Sequence, residues 1–504
     1  MAFLSYITKV ISAYWLPLCV VAILGRLVYN RYGKGLSDIP GPFLASLSDG
    51  WLFLHYLCRK GSEEYDLHQK FKSSVVRFGP NTVSVSDAEA VRIIYGWKPV
   101  FSKSRLYISQ DVTTEDGTVL ENVSSTRSEG IHRDLRRLVA HTYSLSTLVE
   151  YEPLVDSTSQ VFMKQMDRFS ETGEVCPFGS WLQMYAFDVI GEITFSKRFG
   201  FLEAGKDVGN MMRHTARAMD WIGIVGQIPT FDEYFRLKGF GHILRKFRRT
   251  GPVMKFTAGR IRDHKASETD SRPDFLTRFI QVRDKYPELM TDQRLAAYTN
   301  TNVSAGSDTT AIALREIVYR LLTHRGALDK FRAELAAVLR ARDGAGPDRL
   351  VTWAEGQGMR YYQALIKECL RVHPPLGQLI PRLVPPGGTQ LCDRFIPEGT
   401  VVGCNAWVVH RDKKVYGDDA DEFRPERWMD ADPARLRSME NLGFAFGGGP
   451  RVCLGKNIAL LEISKMVPEL FRRFDVELVD PKKYTPCPGW LVPQTGLDVR
   501  VKRK

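Results

Sequence analysis

The sequence predicts a mainly helical fold with a smaller β part. Residues 457–474 place Ile458, Leu461, Met466, Leu470 and Phe474 on roughly one helical stripe, with Pro468 expected to kink it. Asp292 to His324 predicts a second helix, about 48 Å long, enough to cross the molecule. His132 to Tyr143 (HRDLRRLVAHTY) predicts a third, basic on one side. The β part is carried by Ser73 to Val85, where Gly79-Pro80-Asn81 separates two β-branched runs, and by Arg394 to Val402, which reads as strand, turn, strand.

The chain has 504 residues, 44% hydrophobic and 25% charged, so most of it should fold. Usual domain sizes would divide that length into two or three units. Eight cysteines (Cys19, Cys58, Cys176, Cys369, Cys392, Cys404, Cys453 and Cys487) are dispersed without a CxxC pair. That argues against zinc and disulfide frameworks and suits a reducing compartment. The net charge of +12 comes from Lys and Arg spread along the chain, and no nucleic-acid-binding motif accompanies it. No nucleic-acid partner is expected.

From Val10 to Gly25 runs an uncharged, mostly apolar stretch between Lys9 and Arg26. Continued through Leu27, Val28 and Tyr29, with Arg26 snorkelling, it reaches about 20 residues, enough for a membrane span. A cleaved signal peptide is the competing reading. No clear small-x-small site follows, and Arg26, Arg31 and Lys34 form a positive flank that keeps the rest of the chain cytoplasmic. The expected organisation is a single N-terminal transmembrane helix within 1–30, a basic and proline-rich hinge over 31–45 containing Ile39-Pro40-Gly41-Pro42, and the remainder of the chain over 46–504. The sequons at Asn122 and Asn302 are read as chance matches on a cytosolic face.

The stretch FGGGPRVCLG, 446–455, is the most informative. Its glycines and proline cannot continue a helix or a ladder, but they let backbone pass close beneath a flat object. A cysteine just before a helix start has its thiolate stabilised by unpaired N–H groups and the positive end of the dipole, which suits a ligand to haem iron. Phe446, Gly449, Arg451, Cys453 and Gly455 fill every fixed position of the cysteine loop of the cytochrome P450 family, the haem-thiolate monooxygenases, and the stretch resembles that loop. The resemblance implies the cytochrome P450 fold, haem b, Cys453 as axial iron ligand, Phe446 packed against it, and Arg451 on a haem propionate.

Other motifs match the family in order. His132 and Arg136, four residues apart on one helix face, resemble the pair that holds a propionate, which leaves Arg133 and Arg137 to meet a reductase. Ala305-Gly306-Ser307-Asp308-Thr309-Thr310 lies in a segment that is a poor helix former and resembles the oxygen-activation motif. Asp308 and Thr309 would then relay protons, the small Ala305 and Gly306 would leave room for O2, and a local widening of the helix is expected. Glu368 and Arg371 resemble the family's Glu-x-x-Arg, with Arg427 in Phe423–Trp428 as third member of a structural network. Arg382 matches another propionate partner. Leu376 to Pro381, Trp490 and Leu491 are expected at the substrate, under a mobile lid spanning Phe201 to Val253.

The expectation is a haem-thiolate monooxygenase of the eukaryotic endoplasmic-reticulum type. It would take NADPH electrons through cytochrome P450 reductase and hydroxylate, epoxidise or demethylate a hydrophobic small molecule. Its texture is most similar to fungal members related to pisatin demethylase, which implies secondary metabolism of a terpenoid or polyketide. Two alternatives stand beside it. One is an O2-independent haem-thiolate isomerase or dehydratase, against which Thr309 argues. The other is a non-catalytic haem sensor.

Overall fold

Asp292–Thr323 is a 32-residue α-helix around which the other long helices are arranged. It starts where the Thr291 side chain accepts from the N–H of Arg294 at 3.2 Å, an N-cap that satisfies one orphan donor. It packs most extensively on Phe178–Phe195, which is apolar nearly all round and accordingly buried. Lys456–Arg473, Arg360–Val372 and Pro252–Ala266 close its other sides. This is a computed structural model, and it describes residues 2–59, 63–113, 118–234, 251–266, 274–342 and 349–504.

The helix runs through the Thr/Ser-rich middle without the expected widening. Ser307 and Thr309 instead donate to the carbonyls of Val303 (3.0 Å) and Ala305 (2.8 Å), one turn back, while the ladder stays intact. The predicted 457–474 helix is Lys456–Arg473 with Pro468 inside it, and the basic helix is Glu129–Val139 followed by a 3-10 turn to Tyr143.

The β part is small. Val75–Gly79 and Thr82–Val85 pair antiparallel; Val401–Gly403 joins Thr82–Val85 in parallel, and Arg382–Leu383 closes a four-stranded sheet antiparallel to Val401–Gly403. Arg394–Ile396 does not turn back onto Val401–Gly403. It pairs with Thr389–Leu391 in a separate hairpin. A two-stranded ribbon joins Phe474–Leu478 to Val499–Arg503. The fold is mainly helical with a minor strand component.

The first helix, Ala2–Tyr32, is docked at its C-terminal end. Buried Arg77 donates to the carbonyls of Asn30 (2.6 Å), Arg31 (3.0 Å) and Leu36 (3.0 Å), orphan acceptors at and just beyond that end. The segment after it is laid along the sheet rather than free: Arg77 N–H donates to Pro40 O at 2.8 Å. The expected transmembrane helix is not supported, because among the described residues no helix is long and apolar enough to cross a membrane. The predicted span begins at Val10, and residues 1–13 lie outside the described side chains. From Tyr14 onward, Arg26 and the polar end from Asn30 interrupt the apolar run.

Glu368, Arg371 and Arg427 are brought together in the core. Arg371 donates to Glu368 in bidentate fashion (2.7 and 2.9 Å), and Arg427 adds a third charged bond at 2.9 Å. The Trp428 indole and the Arg424 N–H fill the remaining carboxylate sites at 2.9 Å each. The spare guanidinium hydrogens reach the carbonyls of His410, Glu422 and Tyr416. Glu368 is 0% exposed and the two arginines 2% each. Such a site tolerates loss of no member, because a lone buried charge is left behind. Glu368→Ala should therefore lower stability by about 3–5 kcal/mol, read as the urea midpoint. Arg92→Ala, from an exposed pair with Glu89, should change it by less than about 1 kcal/mol. Equal midpoints for the two variants would refute a stabilising network.

Candidate active site

The loop before Lys456–Arg473 is built from two 3-10 turns, Phe444–Phe446 and Gly449–Arg451. Gly449 has φ +57°, and a Cβ there would lie 1.9 Å from Tyr95 O, so no other residue fits. The turns close with Val452 N–H donating to Gly449 O (3.1 Å) and Cys453 N–H to Phe446 O (2.9 Å). Cys453 is thereby presented three residues before the helix, and its accessible surface faces an internal cavity. Burial raises its thiol pKa, while the N–H groups of Gly455 and Lys456 and the charges of Arg136 and Lys456 pull the other way; burial prevails. Phe446 lines the same cavity, with Lys456 Nζ 5.7 Å from its ring centroid.

The cavity holds about 1300 Å³. Lys103, His132, Arg136, Arg382 and Arg451 all line it, so every predicted propionate partner reaches the cavity and Lys103 is added, the five close enough together for the four cations to lower the His132 pKa. Arg136 donates to Val452 O (2.8 Å), and Arg382 to Tyr107 Oη (3.2 Å) and Pro381 O (3.1 Å). Lys103 donates to Ser124 O and lies 3.9 Å over the Tyr107 ring. Among the described residues Arg451 alone of these has a carboxylate, Glu129, at 2.6 Å, and it also donates to Thr126 O at 3.0 Å. Burial and the surrounding cations push the Lys103 pKa well down and the His132 pKa to about 3, so His132 is a neutral imidazole. Among the described residues the wall sets Arg136, Arg382 and Arg451 against Glu129, more positive than negative charge and a demand for an anion, which would also favour the charged form of Lys103.

Ala305, Gly306, Thr309, Thr310 and Ala313 of the long helix also line the cavity. A Cβ on Gly306 would come 3.0 Å from Ile190 Cδ1, so its absence also lets the two long helices approach. Asp308 does not share the face of Thr309. Successive helical residues are about 100° apart, and the Asp308 carboxylate points to Phe178–Phe195, where Gln183 Nε2 donates to it at 2.6 Å. Burial raises its pKa to about 6, opposed by Gln183 and by Arg315. Arg315 itself holds Gln183 Oε1 (2.9 Å) and Gly179 O (2.8 Å).

Leu376 and Ile380 of the expected 376–381 stretch, together with Trp490 and Leu491, are lining residues. The predicted lid supplies His214, Ala218, Met219, Trp221 and Ile222 from Met211–Val225; residues 235–250 of it lie outside the described residues. Sequence reasoning missed Lys103, Glu129 and Gln183. Lys103 sits in an irregular polar stretch with no periodicity to mark it, and only its neighbours across the fold distinguish it from a surface lysine.

The family model for cytochrome P450 matches residues 50–501. A cytochrome P450 monooxygenase of Aspergillus terreus is 40% identical over 476 residues, covering 91% of this chain and 95% of the relative. Cytochrome P450 monooxygenase cicH of Emericella nidulans is 38% identical, covering 96% of this chain and 99% of the relative. Cytochrome P450 monooxygenase mpaDE of Penicillium brevicompactum is 37% identical over 98% of this chain, which spans 58% of that longer protein. With a cysteine loop, a cation-lined cavity and a threonine-bearing central helix in one place, the chain belongs to the cytochrome P450 family, whose members hold haem iron through a cysteine thiolate.

Proposed function

We propose that this monooxygenase takes electrons from NADPH through a reductase and inserts one atom of O2 into a hydrophobic small molecule of fungal secondary metabolism, releasing the other as water. The observation that carries the reading is the convergence of Cys453, the cationic wall and Thr309 on one cavity. Haem, when bound, supplies the O2 activation. Its iron would take Cys453 as ligand, and its two propionates answer the charge surplus of Lys103, Arg136 and Arg382, with Arg451 shared with Glu129. Neutral His132 would donate a single N–H to the same carboxylates. Phe446 would pack against the thiolate side.

Proton supply is divided between two residues. Thr309 Oγ1, which donates to Ala305 O, can rotate to donate into the cavity, and Asp308 is the buried acid with a pKa near neutrality that can replace the proton. Exposed Arg133 and Arg137 support docking of an acidic reductase. Exposed Trp15, Leu16, Leu18, Val21, Ile23 and Leu24 on the first helix, with Phe43 and Leu44 beyond it, support attachment to the endoplasmic-reticulum membrane with the remainder in the cytosol. The 1–30, 31–45 and 46–504 division belongs to the same reading.

The test is the carbon-monoxide difference spectrum of the reduced protein, wild type beside Cys453→Ala. A strongly red-shifted Soret band in wild type and its loss in the variant is expected; a histidine-like band in wild type would end the reading. Lys103→Met should release haem to apomyoglobin about tenfold faster than wild type, as one of few cations on the propionates is lost; an unchanged rate removes Lys103 from the site. Thr309→Ala should keep consuming NADPH while yielding mostly hydrogen peroxide. Asp308→Asn should slow product formation by about 10²-fold. Because the acid form of Asp308 is depleted as pH rises through about 6, the wild-type rate should fall over that range and the variant should not show that dependence. Parallel pH profiles would exclude Asp308 as the donor.

A further inference from the structure

The long helix treats its hydroxyl groups in two ways. Thr299, Ser307 and Thr309 each donate to the carbonyl four residues earlier, which is the ordinary fate of a hydroxyl in a helix. Thr301 and Ser304 make no such bond and have no hydrogen-bond partner among the described residues; both line the cavity and neither is buried away from it. Asn300, beside them, is likewise unpartnered and lining. Asn302, the next polar residue, is consumed by structure: its amide donates to Thr194 Oγ1 at 2.8 Å and its carbonyl accepts from Tyr143 Oη at 3.1 Å. An enclosed wall made for an alkane would carry Leu or Val at such positions, because unpaired polar groups facing an apolar ligand cost affinity.

The charge of this wall is also distinctive. Arg136 is tied to the cysteine loop through Val452 O, and Lys103, Arg382 and Arg451 lie close enough together to affect one another's charge. The lid adds His214 to the lining, and burial and Arg217 lower its pKa, so that it too is neutral. Among the described residues no ion pair or hydrogen bond brings a charged side chain to Thr301 or Ser304. A neutral oxygen would find two hydroxyls and an amide.

We infer that the substrate carries a neutral hydrogen-bonding oxygen, a hydroxyl or a carbonyl, held by Thr301 and Ser304 about 7–12 Å along the helix axis from Thr309. Thr301 and Ser304 are specificity-determining residues, with Asn300 as a third contact. The substrate class is therefore an already oxygenated, otherwise apolar molecule rather than a plain hydrocarbon, oxidised at a site remote from its existing oxygen. This rests on the haem monooxygenase reading and narrows its substrate.

A ruler tests it. 1-Alkylimidazoles from hexyl to dodecyl, and the same series ending in a hydroxyl, should both ligate ferric haem in the full-length holoenzyme and shift its Soret band. In an apolar cavity the terminal hydroxyl weakens binding about tenfold or more. Here one chain length of the alcohol series is expected to bind at least as tightly as its alkane. Thr301→Val with Ser304→Ala should weaken that alcohol about tenfold and leave the alkane within about twofold. An alcohol penalty at every length in wild type would overturn the inference. So would an alcohol preference that survives both substitutions. A Soret shift with neither series would remove the haem reading and the inference with it.

Discussion

Positive charge buried beside Cys453 is the constraint on which the site depends. Lys103, Arg136, Arg382 and Arg451 line one wall, and Glu129 is the carboxylate paired with any of them among the described residues. Apart from Arg451, which holds Glu129, the cations are kept in place by neutral acceptors: Ser124 O for Lys103, Val452 O for Arg136, and Pro381 O and the Tyr107 hydroxyl for Arg382. Carbonyls orient a cation without neutralising it. The wall is thus preorganised for an anion and specifies it by charge and position, because the geometry is set before the ligand arrives. The Cys453 thiol feels the same field through Arg136, against its own burial.

Holding that wall rigid is the work of the scaffold. Three of its members come from distant stretches: Lys103 from the long irregular segment, Arg382 from a sheet strand, Arg451 from the cysteine loop. An isolated bridge between Lys103 and Arg382 ties the first two, and Gly449 seated on Tyr95 ties the third to the sheet side. Beneath them the Glu368 carboxylate, with every acceptor site filled, joins Arg360–Val372 to the 424–428 turn. Five bonds on one buried group explain why that network reads as structure rather than chemistry.

Much of this was legible in the sequence, unevenly. The cysteine loop announced itself because Phe446, Gly449, Arg451, Cys453 and Gly455 fill the fixed positions of the family's signature; the central helix did so because its Thr/Ser-rich middle breaks local propensity. Glu368, Arg371 and Arg427 were legible only through their resemblance to the family's network, since a Glu-x-x-Arg alone is common. What was not legible follows from distance in the chain. Lys103 and Glu129 acquire meaning from neighbours hundreds of residues away, and the widening expected at Ser307–Thr309 failed because hydroxyls can bond one turn back without displacing the ladder. The N-terminal run looked long enough to span when Arg26 was allowed to snorkel. Hydropathy over the described side chains gives no such span.

In the proposed proton relay, adjacent positions on one helix let Asp308 and Thr309 divide the task. About 100° of rotation puts the hydroxyl in the cavity and the carboxylate in protein, so the acid never meets the substrate. Of the buried acids with a pKa raised into the neutral range, Glu64 lies between Tyr56 and Asn405, and Asp188 is spent on the N–H groups of Gly200 and Leu202. Asp308 differs in standing one residue from a cavity-lining hydroxyl. Arg315 nearby would ordinarily lock such a carboxylate in its ionised form. Its guanidinium hydrogen-bonds the carbonyls of Gly179 and Gln183 instead, and Gln183 passes only an amide hydrogen to Asp308. An intervening glutamine thus keeps the acid protonatable while fixing where it points.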